Sequence, residues 1–140
     1  MRGHDERCGV LLGANGQGQL GDGTTDVRLI PTRVGGGVSF TQIGAGTLHT
    51  CGVSAGRAAY CWGKNSFGEL GDGTGIGWMQ PALVAGGLPF VQVSAGDDHS
   101  CGVTADQRAY RWGDNARAVM AGSVTALTLA ASPQREWREV

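Results

Sequence analysis

Charge is scarce in this 140-residue chain: 16% of residues are Asp, Glu, Lys or Arg, the net charge is −1 at pH 7, and Lys64 is the single lysine. Nucleic acids and anionic lipid surfaces are bound through clustered Lys and Arg, so no nucleic-acid partner is expected. No apolar run approaches the roughly 20 residues of a spanning helix, so no membrane partner is expected either. The opening Met1-Arg2-Gly3-His4-Asp5-Glu6-Arg7 is charged where a secretory signal needs an apolar stretch, and the chain as given reads as soluble and without a leader. A Gly-X-Y period is also missing, which excludes collagen despite 26 glycines. With 41% hydrophobic residues and little net charge, low-complexity disorder is excluded too. What remains is one packed, turn-rich domain.

The chain repeats itself. Gly13, Gly63 and Gly113 lie 50 residues apart, as do Asn15, Asn65 and Asn115. Gly21-Asp22-Gly-Thr returns as Gly71-Asp72-Gly-Thr, Pro31 as Pro81, and His49 as His99. Segments 40–62 and 90–112 share 12 of 23 positions, among them Cys51-Gly52-Val53, Tyr60 and Trp62. Within a unit, Phe40 to Ile43, His49 to Val53 and Ala58 to Trp62 read as short strands, with a turn at Ala55-Gly56-Arg57. A glycine-dense loop over 63–77 leads to a fourth strand, Pro81 to Val84, where proline is tolerated at a strand start or edge. Four antiparallel strands per 50 residues make a propeller blade, so the expected class is all-β.

The string His49-Thr-Cys-Gly-Val, then Ala59-Tyr-Cys-Trp-Gly-Lys-Asn-Ser-Phe-Gly-Glu-Leu-Gly-Asp-Gly-Thr74, Pro81 and Val84, resembles the regulator of chromosome condensation type β-propeller repeat. The resemblance covers nearly the whole chain and implies a propeller, seven-bladed in familiar members. It also implies protein partners: a small GTPase and chromatin for the eukaryotic exchange factor, a secreted enzyme for bacterial inhibitor propellers. The residues carrying those activities lie outside the repeat consensus and map to no position here.

The ends depart from the pattern. Residues 1–39 read as a partial first blade and loop, 40–89 as an intact blade, 90–131 as a second blade with a degenerate loop, and 132–140 as the opening strand of a further blade. Gly3 to Val10 aligns with Gly96 to Val103, with Leu12 in the place of Trp62, so Cys8 to Val10 reads as a second strand. Trp137-Arg-Glu-Val140 resembles Phe90-Val-Gln-Val93. The material amounts to about three blades of an incomplete ring, where propellers close with four to eight.

Several motifs have a plain structural reading. Gly16-Gln-Gly18-Gln-Leu-Gly21 satisfies GxGxxG, but its copy Ser66-Phe-Gly68-Glu-Leu-Gly71 loses the first glycine and neither opens a helix, so no nucleotide cradle is assigned. Asp22 and Asp72, each followed by Gly-Thr, suit an Asx turn better than a Ca²⁺ site, since few other oxygens are near. His49, Cys51 and Cys61 are zinc-type ligands without a fourth at a recognisable spacing. His49 and His99 therefore read as structural, bonding backbone at the inner turn of the blade. Trp62 and Trp112 are expected over Gly52 and Gly102 of the adjoining strand, with Trp78 in a variable loop. Cys51 and Cys61 stand symmetrically about Gly56, which places them opposite each other and predicts a disulfide, hence an oxidising, extracellular compartment. Cys101 instead faces Arg111.

No catalytic, metal or cofactor residue is assigned, and no cofactor is expected. The expected function is a non-enzymatic scaffold for protein–protein interaction, its partner unidentified. Two alternatives are a small-GTPase regulator, implied by the resemblance, and a purely structural, self-assembling repeat that meets other blades of a longer chain or a second copy of itself.

Overall fold

The computed structural model describes residues 10–114 and 125–127. They form ten strands and, among the described residues, no helix. The strands are β1 (Val10–Gly13), β2 (Arg28–Arg33), β3 (Phe40–Ala45), β4 (His49–Ser54), β5 (Ala59–Gly63), β6 (Trp78–Leu83), β7 (Phe90–Ala95), β8 (His99–Thr104), β9 (Ala109–Gly113) and β10 (Thr125–Leu127). β3-β4-β5-β6 is one antiparallel sheet, β7-β8-β9-β10 a second, and β1-β2 a pair. These are two four-stranded blades and part of a third, an incomplete propeller.

Local chemistry explains the hairpins. β4 and β5 pair with Cys51 opposite Cys61 and Gly52 opposite Tyr60, and β8 and β9 repeat the register fifty residues on. Each connecting turn places a non-glycine residue in the left-handed region, Arg57 and Gln107, both at φ 68°. β6 begins at Trp78, so this tryptophan opens a strand instead of lying in the loop. β1 also differs from the sequence reading. Val10 faces Arg33 and Gly13 faces Arg28, as Tyr60 faces Leu83 and Gly63 faces Trp78, so β1 is a third strand. Without the usual hairpin residues, Gly13 and its following loop set the register, and Val10 takes the position of Tyr60. Residues 132–140, read as a further opening strand, lie outside the described residues.

The core lies between blades. One cluster joins Cys51, Val53 and Cys61 of the first full blade to Leu70, Phe90, Val93 and Trp112. A second joins Val34 to Phe40 and Trp62. The rings over Gly52 and Gly102 are those of Phe40 and Phe90, whose atoms lie 2.8 and 2.6 Å from where a Cβ would stand. The tryptophans lie elsewhere: Trp62 is paired with Thr50, beyond Gly52, and its ring crosses to Gly21 of the preceding unit. Trp112 is seated on Gly71 in the same way. A Cβ on Gly21 would come within 2.5 Å of the Trp62 indole, and φ of +72° already favours glycine.

Trp112, 2% exposed, and Trp78, 49% exposed, separate core from surface. Trp112→Ala is expected to cost on the order of 3–5 kcal/mol, as large core truncations do, against under about 1 kcal/mol for Trp78→Ala. Urea denaturation of both variants measures this; equal losses would contradict the packing.

Candidate functional site

The repeated loops, 14–27 and 64–77, contain no strand or helix, yet one asparagine organises each. Asn65 Nδ2 donates to the carbonyls of Thr74 and Ile76, both at 2.9 Å, and its Oδ1 accepts the Leu70 N–H at 2.9 Å. Asn15 makes the same bonds with Thr24, Asp26 and Leu20. Both asparagines are buried, so a side chain supplies the partners that a strand would otherwise provide. Next to them the Thr24 N–H donates to Asp22 Oδ1 at 2.9 Å and the Thr74 N–H to Asp72 Oδ1 at 3.0 Å, each an Asx turn. Arg28 Nε lies 2.6 Å from Asp22 Oδ2, whereas Trp78 Nε1 donates to Asp72 Oδ2 at 2.9 Å. Burial opposes ionisation of Asp22, but bonds from Thr24 and Arg28 outweigh it and hold the carboxyl down to about 2. Asp72 is lowered as well, against its own burial, by Thr74 and Trp78.

The loops then receive the next blade. Thr50 Oγ1 donates to the Gln19 carbonyl, and Ser100 Oγ to the Glu69 carbonyl, both at 2.8 Å. His49 Nε2 stands 2.8 Å from Ser100 Oγ. Since the serine hydrogen is committed to Glu69, the imidazole donates from Nε2 and its Nδ1 is a bare acceptor, buried without a partner. A side chain of the next blade thus partners this histidine, because the blades approach closely enough for direct contact. Burial pushes His49 down to about 4; the charges of His99 and Lys64 add to this and Asp98 opposes it. His99, its counterpart, is exposed.

Lys64 sits at the same joint, 2.6 Å from Asp98 Oδ1 and 3.5 Å from Glu69 Oε2. The Asp98 bond raises its pKa most, and Glu69 adds to this against a desolvation penalty. Glu69 is fully buried, so the lysine supplies the cation that a buried carboxylate requires. Gln19 and Ala14 occupy these positions in the first unit, where the joint is neutral.

Cys51 and Cys61 form a disulfide with Cα atoms 4.0 Å apart, both fully buried, and Cys51 Sγ lies 3.5 Å from Ser100 Oγ. Cys101 is free and opposite Arg111; burial raises its thiol pKa, with Arg111 opposing. Cys8 lies outside the described residues. No group of three His, Cys, Asp or Glu able to hold a metal occurs among the described residues. No helix follows Gly16–Gly21 or its copy. The exposed apolar side chains Phe67, Ile76 and Trp78 stand where the first unit has Gln17, Asp26 and Arg28.

Sequence reasoning passed over Asn15, Asn65, Gln42, Glu69 and Ser100 as working residues. For the asparagines and Gln42 the recurrence at fifty residues, as Asn115 and Gln92, was the available signal.

The family model described as regulator of chromosome condensation (RCC1) repeat matches residues 11–53 and 58–103, and a second RCC1 repeat model matches 40–69 and 90–117. No curated protein matches the chain. Human WBSCR16 aligns at 20% identity and TM-score 0.75, over 84% of this chain and 32% of its own. Prp20p from Saccharomyces cerevisiae, studied for its binding to Gsp1p and histones, aligns at 23% identity and TM-score 0.72, over 88% of this chain and 34% of its own. Yeast RCC1 (Prp20) bound to Kap60 aligns at 26% identity and TM-score 0.62, over 74% and 27%. The chain therefore spans about a third of the solved propellers it matches.

Thiol titration of denatured, unreduced protein is expected to find two groups, Cys8 and Cys101; four would exclude the disulfide. Acid should weaken the joint. A histidine held at about 4 binds fewer protons folded than unfolded, so stability falls as pH drops from about 6.5 toward 4. The full loss is on the order of 3 kcal/mol. Denaturant midpoints measured across that window should show a fall in the native chain, and His49→Gln should flatten it.

Proposed function

Because the chain belongs to the regulator of chromosome condensation repeat family, we propose that it is a non-enzymatic scaffold whose loops hold a protein partner. The observation that carries this reading is a division of labour. Buried polar groups are committed to structure, Asn65 to its own loop and His49, Ser100 and Glu69 to the joint between units, whereas exposed loop positions differ in chemistry between copies. Phe67 and Ile76 are apolar and exposed where the first unit has Gln17 and Asp26, a difference the fold itself does not require. Exposed apolar groups on a rigid loop are what a protein partner would bury.

Regulation of a small GTPase is the second reading, supported by the 26% identity to yeast RCC1 and by the reported binding of Gsp1p to Prp20p. Self-assembly with further blades, of a longer chain or of a second copy, is the third, supported by the incomplete ring. The buried Cys51–Cys61 bond supports an oxidising compartment.

The test compares the native chain with a Phe67→Ser/Ile76→Ser variant in quantitative capture of proteins from its source, alongside sizing by light scattering. At least one protein held by the native chain and lost by the equally folded variant is the expected result. Identical capture would overturn the scaffold reading. Accelerated nucleotide release from a panel of small GTPases would assign the second reading, and growth in size without any partner the third.

A further inference from the structure

Asn15 is followed by Gly16, the pairing in which an asparagine loses its amide most easily, because a glycine nitrogen meets no side chain of its own on the way to the carboxamide carbon. The other two asparagines of the chain are followed by Ser66 and Ala116. Gly16 is exposed, and no heavy atom lies within 4 Å of where its Cβ would stand. The folded loop nevertheless opposes the reaction. Asn15 Nδ2 donates to the Thr24 and Asp26 carbonyls and its Oδ1 accepts the Leu20 N–H, all at 2.9 Å. Loss of Nδ2 breaks the first two bonds, and any turn of the carboxamide breaks all three.

The product fits this cradle badly. A carboxylate donates nothing to the two carbonyls, and its new oxygen replaces a nitrogen 3.3 Å from Asp22 Oδ1. Burial opposes ionisation of Asp22, but bonds from Thr24 and Arg28 outweigh it, so two carboxylates would face each other. The same loop carries Gly21, on which Trp62 is seated. The Gly35 N–H donates to the Gly21 carbonyl at 2.7 Å, as the Ala85 N–H does to Gly71 at 2.8 Å in the next unit. These two amides report on the two seats separately.

We propose that Asn15 is a site of spontaneous deamidation, shut while its loop is folded and exposed when the loop opens, whose use releases the seat of Trp62 irreversibly. The Gly16 nitrogen attacks Asn15 Cγ, the new N–Cγ bond closes a succinimide ring, and Nδ2 leaves as ammonia with the proton that Gly16 gives up. Water then adds to one of the two ring carbonyls, and the ring opens to aspartate or isoaspartate. Isoaspartate also lengthens the backbone by one carbon, which shifts every later bond of the loop. Asn65 occupies an equal cradle, but the side chain of Ser66 obstructs the same attack, so the two seats differ in chemical lifetime. No partner takes part, and failure of this proposal would leave the scaffold reading untouched.

Peptide mapping by mass spectrometry on the full chain, held in mildly alkaline buffer with and without unfolding guanidinium, tests the site. Conversion at Asn15 should be at least about tenfold faster unfolded than folded, and at least about tenfold faster than at Asn65 in the same unfolded sample. Gly16→Ala, whose added Cβ meets nothing, should keep the fold and slow Asn15 to the rate of Asn65. Hydrogen exchange on Asn15→Asp tests the consequence: the Gly35 amide should exchange at least about tenfold faster than in the native chain, with Ala85 as the unchanged reference. Equal conversion in folded and unfolded chains, or no effect of Gly16→Ala on the unfolded one, would overturn the site. A Gly35 amide as slow as in the native chain, or Gly35 and Ala85 accelerated alike, would overturn the release of the seat.

Discussion

A tryptophan seated on a glycine of the preceding unit is the constraint on which this molecule depends. A single four-stranded sheet has two faces and cannot bury both alone, so each blade gains its core only by stacking on a neighbour. Trp62 on Gly21 and Trp112 on Gly71 make that stacking specific. The seat must be held in place, and the loop that holds it has no strand or helix of its own. Asn15 and Asn65 fill this need: their amides bond the loop interior and hold the loop that carries the glycine under the ring. The loop is therefore rigid for the same reason a strand is, its polar groups being satisfied within the protein.

The two joints share geometry but differ in chemistry. Between the first and second units the contact is neutral, with Gln19 and Ala14 at the positions of Glu69 and Lys64. Between the second and third, a buried carboxylate, a half-buried lysine and Asp98 meet beside a neutral imidazole. Burying Glu69 is tolerable only because Lys64 is near, and the positive charge of Lys64 in turn disfavours protonation of His49. The disulfide adds a further difference, since Cys61 is replaced by Arg111 in the next blade. Repetition sets where groups stand, and substitution within the repeat sets what each joint responds to.

Much of this was legible in the sequence, for a physical reason. Strand pairing within a blade is local, so the alternation around Gly56 placed Cys51 against Cys61 correctly. The Asx turns at Asp22 and Asp72 are more local still. What escaped was everything that passes between units. The glycine under Trp62 belongs to another unit, and nothing near the tryptophan names it. Gln42 reads as an ordinary polar strand residue until β7 is brought beside it. Val10 was placed by its similarity to Val53, whereas the loop after Gly13 decides its partner, and Tyr60 is its true counterpart.

The bonds between units also share a short span along the chain. Thr50 reaches Gln19 and Ser100 reaches Glu69 over 31 residues, Lys64 reaches Asp98 over 34, and Gln42 and His49 reach the next blade over 51. None of these contacts waits for a distant end of the chain. During synthesis each unit can lock onto its predecessor once roughly fifty more residues have left the ribosome, while the remainder is still unmade. Assembly then proceeds like the growth of a filament from one end, and a chain interrupted partway keeps every joint already formed.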